Sequence, residues 1–129
     1  MTGLVIQIDE RRTIDTAKTA MLLLKSRAIR TEYFRDRKPE IDDVAWNILM
    51  DLIASKETEE PVTSHDMAVT HNVAIGTMIR YVTFLIDIDL ITKNKDAAVT
   101  ERMSLALTET GDTLTSNALR IIGRELANF

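Results

Sequence analysis

The sequence predicts a mainly α-helical fold with one small β-hairpin. Apolar residues make up 45% of the 129 residues and charged residues 28%, while aromatic residues, Gly and Pro are few, a composition that favours helix over sheet. Apolar residues recur at spacings of three and four along most of the chain, as on one face of a helix. Between about residues 90 and 107 they alternate instead, which indicates two strands around a polar loop.

The first helix is predicted from Thr13 to about Arg37, and Pro39 ends it because proline donates no amide hydrogen bond. Its apolar face is wider than one contact surface needs, so we expect two packing partners. Residues 4–8 before it read as a short strand or an arm. A second helix is predicted to begin near Asp42, with Trp46 packing sideways from its buried face.

A short helix, a tight turn and a longer helix are predicted next. Ser64 is the expected N-cap of a helix over residues 64–70, and Asn72 suits the left-handed turn that follows. The longer helix covers residues 75–88. We expect its buried side to be Ile75, Ile79, Val82 and Ile86, with Met78 and Leu85 partly covered, and its outward side to be Gly76, Thr77, Arg80, Tyr81, Thr83 and Phe84.

The chain is predicted to close with a hairpin and a last helix. Residues 90–93 pair with residues 102–107, and Thr108 caps a helix that continues to Phe129. Helices before a helix-turn-helix, a hairpin directly after it and a closing helix together describe a winged helix-turn-helix. We expect residues 13–129 to form a single domain of this kind, preceded by the arm of residues 1–12.

From about Asp43 to Gly111 the chain resembles the winged-helix regulators of the MarR type. "VAWNILMDLIA" resembles the helix before the motif, "VTSHDMAVTHNVAIGTMIRYVTFL" the helix-turn-helix, "DLITKNK" the exit into the wing and "LALTETG" the closing Leu-Thr-x-x-Gly signature. The resemblance implies a homodimer built by helices at 13–38 and 109–129, and a DNA-binding lobe over 42–108. At Asp89 relatives usually have Gly, a position that favours left-handed geometry.

The resemblance also implies which residues contact duplex DNA. The helix over 75–88 would enter the major groove, where Arg80 matches a common arginine position, and the hairpin over 90–107 would approach the phosphate backbone or the minor groove. The candidate DNA-binding residues are Asn72, Thr77, Arg80, Tyr81, Lys93, Asn94, Lys95 and Arg102. Relatives often have basic residues where this chain has Thr83 and Phe84.

The charges of the chain are strongly segregated, although the net charge is only -4. Residues 11–38 hold nine Lys or Arg against three acids, and residues 40–72 hold one against eight. The basic first helix therefore has two interpretations. It extends the contact with phosphate, or it neutralises the acidic segment that follows it.

The sequence also bears on functions other than DNA binding. Tyr81, Phe84 and Ile88 lie on one stripe that would suit a protein partner, and relatives of this type often respond to small-molecule effectors. An enzyme is not expected, because His65 and His71 lack the spacing of a helical zinc pair and Cys is absent, and no cofactor or metal is predicted. Without a signal peptide or an apolar run of membrane-spanning length, we expect a cytoplasmic protein that binds no membrane.

Overall fold

Helices make up most of the computed structural model, which describes residues 14–37, 40–93 and 104–128. The element order confirms the predicted mainly α-helical fold with a small sheet. In chain order the elements are α1 (Thr16–Tyr33), α2 (Asp43–Thr58), β1 (Val62–Thr63), α3 (Ser64–Thr70), α4 (Ile75–Asp87), β2 (Ile91–Lys93), β3 (Ser104–Leu107) and α5 (Glu109–Ala127). None of the helices in these ranges is long and apolar enough to cross a membrane.

The three strands form one antiparallel sheet in the order β1-β3-β2. β2 and β3 are the base of the predicted hairpin, with Ile91 opposite Leu107, and β1 adds a third strand by placing Val62 opposite Leu105. The segment between α2 and α3 is thereby fixed to the base of the wing. Residues 94–103, which would form the tip of the wing, lie outside the described residues.

The core lies around α2, whose Ile48 and Leu49 are fully buried. Met78 and Leu85 of α4 and Leu90 after it reach the same core and are also fully buried. Each such side chain contributes roughly 1.5–3 kcal/mol by leaving water. Burial of this kind holds α4 against α2 and leaves its opposite face available for contact.

Four of the five helices in the described ranges begin at a capping side chain, and one of the two predicted caps needs correction. Asp42 caps α2 and Thr108 caps α5, each accepting a hydrogen bond from a backbone N–H in the first turn. The prediction that Ser64 caps the short helix was wrong by one residue. Thr63 is the N-cap, accepting from the amide of Asp66, because Ser64 is turned into the interior and is fully buried.

The first helix is shorter than predicted, since it ends at Tyr33 rather than near Arg37. Phe34 follows as the C-cap and is buried, packing edge-to-face on Trp46 with ring centroids 6.1 Å apart. Trp46 therefore packs sideways from α2, as predicted. This aromatic pair anchors the end of α1 at the start of α2.

Candidate nucleic-acid interface

A tight turn joins α3 to α4. The amide of His71 donates to the carbonyl of Met67, and Asn72 adopts the predicted left-handed geometry with φ of 53°. His71 Nε2 also lies 2.5 Å from Asp51 Oδ2, which fixes the turn against α2. The turn and its two helices form the helix-turn-helix that the sequence indicated.

The buried face of α4 differs from the predicted one. Met78, Val82 and Leu85 are buried, whereas Ile75 remains 40% exposed and Ile79 is only half-buried. Positions 78, 82 and 85 follow helical spacing just as positions 75, 79, 82 and 86 do, so the sequence was compatible with either buried stripe. In the structure the first stripe is buried, and α4 is therefore rotated relative to the prediction. The expectation of Ile75 as a core residue was therefore wrong.

The outward face of α4 carries Gly76, Thr77 and Arg80. Arg80 is exposed, and its Nη2 donates to Thr77 Oγ1 at 3.1 Å, so the two candidate residues form one polar group. A Cβ at Gly76 would meet no atom within 4 Å, which leaves open space beside the first turn. Asp87, the last residue of α4, is its first acidic residue. Much of the outward surface of α4 therefore carries no negative charge.

Tyr81 lies beside this group but already has a partner within the chain. Its hydroxyl donates to Asp42 Oδ2 at 2.5 Å, while Asp42 Oδ1 accepts from the amide of Ala45 as the cap of α2. The hydrogen bond to Asp42, together with burial and the charge of that carboxylate, raises the pKa of the Tyr81 hydroxyl. Tyr81 thus ties the middle of α4 to the start of α2.

The apolar stripe that suggested a protein partner is largely covered. Tyr81, Phe84 and Ile88 are partly buried and pack against the core. The prediction that Phe84 faces outward was therefore wrong in part, since much of its ring contributes to the fold. A surface that already stabilises the fold offers little area to a second protein.

The wing supplies one described candidate, Lys93, whose side chain is exposed at the end of β2. Asn72, in the turn, is exposed as well. The remaining predicted wing residues, Asn94, Lys95 and Arg102, lie outside the described residues. Within the described ranges, four of the predicted residues thus lie on α4 or in the turn before it: Asn72, Thr77, Arg80 and Tyr81.

The closing Leu-Thr-x-x-Gly signature has a clear structural role at the end of α4. Asp89 has the left-handed geometry predicted for it, with φ of 61°, and Thr108 Oγ1 donates to its carbonyl at 2.7 Å. The amide of Thr108 donates to the carbonyl of Leu90 at 3.1 Å. A Cβ on Gly111 would lie only 1.9 Å from that same carbonyl oxygen. The signature therefore allows α5 to begin directly against the chain leaving α4.

Exposed apolar side chains concentrate on the two terminal helices. Among the described residues, five of the seven large exposed hydrophobic residues lie on α1, just before it, or on α5, and they are between 58% and 67% exposed: Ile14, Met21, Leu23, Leu24 and Leu126. A groove of about 490 Å³ lies among side chains of this surface, including Met21 and Leu24. Apolar surface of this kind is typical of an interaction site.

The basic residues of α1 are largely paired within the chain. Arg30, which is buried, donates to Asp43 at 2.9 Å, and Arg27 lies 3.7 Å from the same carboxylate. Lys25 forms an ion pair with Glu125 of α5 at 2.9 Å. Of the two interpretations of the basic segment, the contacts of Arg27 and Arg30 with Asp43 favour neutralisation of the acidic segment after Pro39.

Among the described residues, no group of three or more His, Cys, Asp or Glu side chains is placed to hold a metal ion. Sequence reasoning missed two contacts at this site, the one from Tyr81 to Asp42 and one from Arg37 to the carbonyl of Ile88. The partners are 39 and 51 positions apart, and no local pattern marks them.

No protein-family model matches the sequence, and no curated protein matches it either. Solved structures match in fold. A Staphylococcus aureus MepR variant bound to an oligodeoxyribonucleotide has a TM-score of 0.65 at 18% identity, over 91% of this chain and 82% of that one. Staphylococcus aureus MarR in complex with salicylate and kanamycin has a TM-score of 0.64 at 16% identity, over 88% and 71%.

A further match is MepR itself, a transcription regulator of the Staphylococcus aureus multidrug efflux pump MepA. Its TM-score is 0.58 at 16% identity, over 85% of this chain and 79% of that one. These three matches cover between 85% and 91% of the chain. The chain has the winged-helix fold of MarR-type regulators.

Proposed function

Since the chain has the MarR-type winged-helix fold, we propose that it is a dimeric transcription regulator that binds specific sites on duplex DNA in the cytoplasm. In this proposal α4 enters the major groove, and the hairpin built on β2 and β3 contacts the flanking backbone as a wing. The proposal includes the polar group of Thr77 and Arg80, together with Asn72, Tyr81 and Lys93. Asn94, Lys95 and Arg102 complete it at the wing.

The proposal is supported chiefly by the first turns of α4, which have an uncapped start and an exposed arginine. Among the five helices of the described residues, α1, α2, α3 and α5 begin at a capping side chain, whereas Ala74 gives α4 none. The first amides of α4 are therefore free of a side-chain acceptor, as suits a helix end that meets phosphate. Arg80 follows one turn later, with the forked donors that fit guanine O6 and N7.

The exposed apolar surface of α1 and α5 supports the dimer. Burial of side chains such as Met21, Leu24 and Leu126 against a second copy would remove them from water, as the resemblance to MarR-type regulators led us to expect. A two-fold dimer would then place its two α4 helices in half-sites about one helical turn apart, roughly 34–36 Å.

The matched structures support the proposal of two kinds of ligand, DNA and a small molecule. One MepR variant is bound to an oligodeoxyribonucleotide, and MarR is bound to salicylate and kanamycin. We therefore include a small-molecule effector in the proposal.

Charge makes a specific demand on this function. The net charge of -4 gives no general attraction to DNA. Two cations of α1, Arg27 and Arg30, already lie beside the carboxylate of Asp43, which partly neutralises their charge. We expect the attraction to come chiefly from the cations of the wing, with Arg80 reserved for contact with a base. We expect a shallow dependence of affinity on salt, because the slope follows the number of phosphates neutralised.

Substitution of Arg80 by Ala tests the proposal. If Arg80 contacts a base, the change should cost about 1–3 kcal/mol of binding to a selected site and much less on random duplex DNA. Arg120→Ala is the matched control, since Arg120 is also exposed on a helix and donates to a side chain three residues earlier, Asn117. Fluorescence anisotropy with labelled duplexes measures both variants. Equal losses for the two variants, or none for Arg80→Ala, would contradict the role of α4.

The alternative of a protein-interaction module gains no comparable support. It requires Tyr81, Phe84 and Ile88 to be available to a partner, and all three pack against the core. DNA binding is therefore the function that the geometry supports best.

A further inference from the structure

Three consecutive carbonyl groups follow α4, and each accepts a hydrogen bond from another part of the chain. The carbonyl of Ile88 accepts from Arg37 Nη1 at 3.1 Å. The carbonyl of Asp89 accepts from Thr108 Oγ1 at 2.7 Å, and that of Leu90 accepts from the amide of Thr108 at 3.1 Å. We call these three carbonyls the α4 exit. The exit is held from the α1 side by Arg37 and from the α5 side by Thr108.

Arg37 reaches the α4 exit from a well-fixed position. Its amide donates to the carbonyl of Phe34 at 2.9 Å, and Phe34 is buried against Trp46. One turn earlier, the buried Arg30 holds Asp43 at the start of α2. The end of α1 therefore has little freedom to move relative to α2. A guanidinium group at this place also suits the negative end of the α4 dipole.

We propose that Arg37 is a positioning residue for DNA recognition, which sets the angle of α4 relative to α1 and thereby the spacing of half-sites that the dimer accepts. The inference rests on the proposed function, because spacing has meaning only if two α4 helices bind one duplex. It assigns to Arg37 no contact with DNA. Arg37 acts through the carbonyl of Ile88.

Because α4 is long, a small change of its angle at the α4 exit displaces its first turn by a large distance. Its 13 residues span about 20 Å, so a rotation of roughly 5° about the α4 exit moves the first turn by nearly 2 Å. Arg80, about 12 Å from the exit, would move by about 1 Å. Recognition geometry tolerates displacements of only about 0.5 Å, so a small change of angle is enough to misplace the contacts.

Loss of Arg37 should change the position of α4 without unfolding the protein. Thr108 would still hold two of the three carbonyls, and Met78 and Leu85 would still be buried in the core. The expected defect is therefore a loss of preference among spacings. A residue that merely contributed positive charge would instead weaken binding to every duplex alike.

The test uses Arg37→Met, which keeps an unbranched apolar stem but removes the donors, and Arg37→Lys, which restores a cationic donor. Arg35→Met is the matched control, because Arg35 is two residues away and pairs only locally with Glu32, at 3.3 Å. The site is first selected from a random duplex pool with the unaltered protein. Duplexes with the two half-sites one base pair closer or farther apart are then made from it.

We expect the unaltered protein and Arg35→Met to bind the selected spacing at least about 10-fold more tightly than either shifted spacing. Arg37→Met should lose about 10-fold at the selected spacing and retain a preference of less than about 3-fold, and Arg37→Lys should recover part of it. An unchanged preference in Arg37→Met, or an equal loss on all three duplexes, would overturn the proposal.

Hydrogen exchange of the free protein separates this inference from the function on which it rests. Amides near the α4 exit, including that of Leu90, should exchange about 5- to 10-fold faster in Arg37→Met than in Arg35→Met. If the unaltered protein binds no duplex, the proposed function fails and the spacing role fails with it. If it binds duplexes but exchange at the exit is the same in both variants, only the positioning role is overturned.

Discussion

The close approach of Gly111 to Leu90 makes a strong prediction about stability. In Gly111→Ala, an ideally placed Cβ would lie 1.9 Å from the carbonyl oxygen of Leu90 and 2.8 Å from its carbonyl carbon. A relaxed contact between carbon and oxygen is about 3.3 Å, so the start of α5 and the chain after α4 must separate by roughly 1.4 Å. Both sides are backbone, and neither can move away by a simple change of rotamer.

The cost can be worked out from the contacts that this separation disrupts. Two hydrogen bonds of Thr108, to the carbonyls of Asp89 and Leu90, contribute about 0.5–1.5 kcal/mol each. Residual crowding adds about 1–3 kcal/mol. The better helix propensity of Ala returns at most about 1 kcal/mol. We expect the free energy of unfolding to fall by about 1–5 kcal/mol.

Urea unfolding followed by far-ultraviolet circular dichroism measures this change, at one fixed protein concentration because dimerisation would add to stability. Gly76→Ala is the matched control, since an added Cβ there meets no atom within 4 Å. It should be neutral or stabilise the protein by up to about 1 kcal/mol. If Gly111→Ala unfolds at the same urea concentration as the unaltered protein, the reasoning about the closing signature is refuted.

Three further predictions concern other contacts. Tyr81→Phe should lower the free energy of unfolding by about 1 kcal/mol, and Asp42→Ala by more, because Asp42 also caps α2; equal urea midpoints for these two variants would contradict this. The hydrogen bond from Lys56 lowers the pKa of Asp112, so its stabilisation is present above about pH 4 and is lost as the pH falls through the lowered value. Asp112→Asn should accordingly be less stable than the unaltered protein by about 0.2–1 kcal/mol at pH 7, and the difference should shrink as the pH falls below about 4; a difference that stays constant down to about pH 2 would refute the assignment. Phe84→Ala should lower stability by about 2 kcal/mol, a loss that a ring serving only a partner would not cause.

The sequence predicted the elements well wherever a local pattern determined them. Periodicity placed α2 and α5, alternation placed β2 and β3, and side-chain chemistry identified the cap at Thr108. The left-handed geometry of Asn72 was predicted because few residue types tolerate it. In each of these cases the information lies within a few positions of the residue concerned. The left-handed geometry of Asp89 was implied instead by the resemblance to MarR-type regulators.

The sequence could not predict the rotation of α4, because apolar residues surround much of that helix. Stripes through Ile75 or through Met78 both follow helical spacing, and only packing on α2 decides between them. The contacts from Tyr81 to Asp42 and from Arg37 to Ile88 depend on how distant segments pack together. Thr77 and Arg80 were each predicted to face outward from α4, but the hydrogen bond between them was not predicted, although they lie three residues apart on one helix.

Selection from a random duplex pool, followed by anisotropy titration of the recovered duplex at two salt concentrations, tests most directly whether this protein recognises DNA. We expect a two-fold symmetric site with half-sites about 10 base pairs apart, bound about 10³-fold more tightly than random duplex at moderate salt. Arg80→Ala should remove much of that difference while leaving binding to random duplex nearly unchanged. A pool that yields no enriched sequence, with no binding at either salt concentration, would contradict the assignment of α4 as a DNA-reading helix.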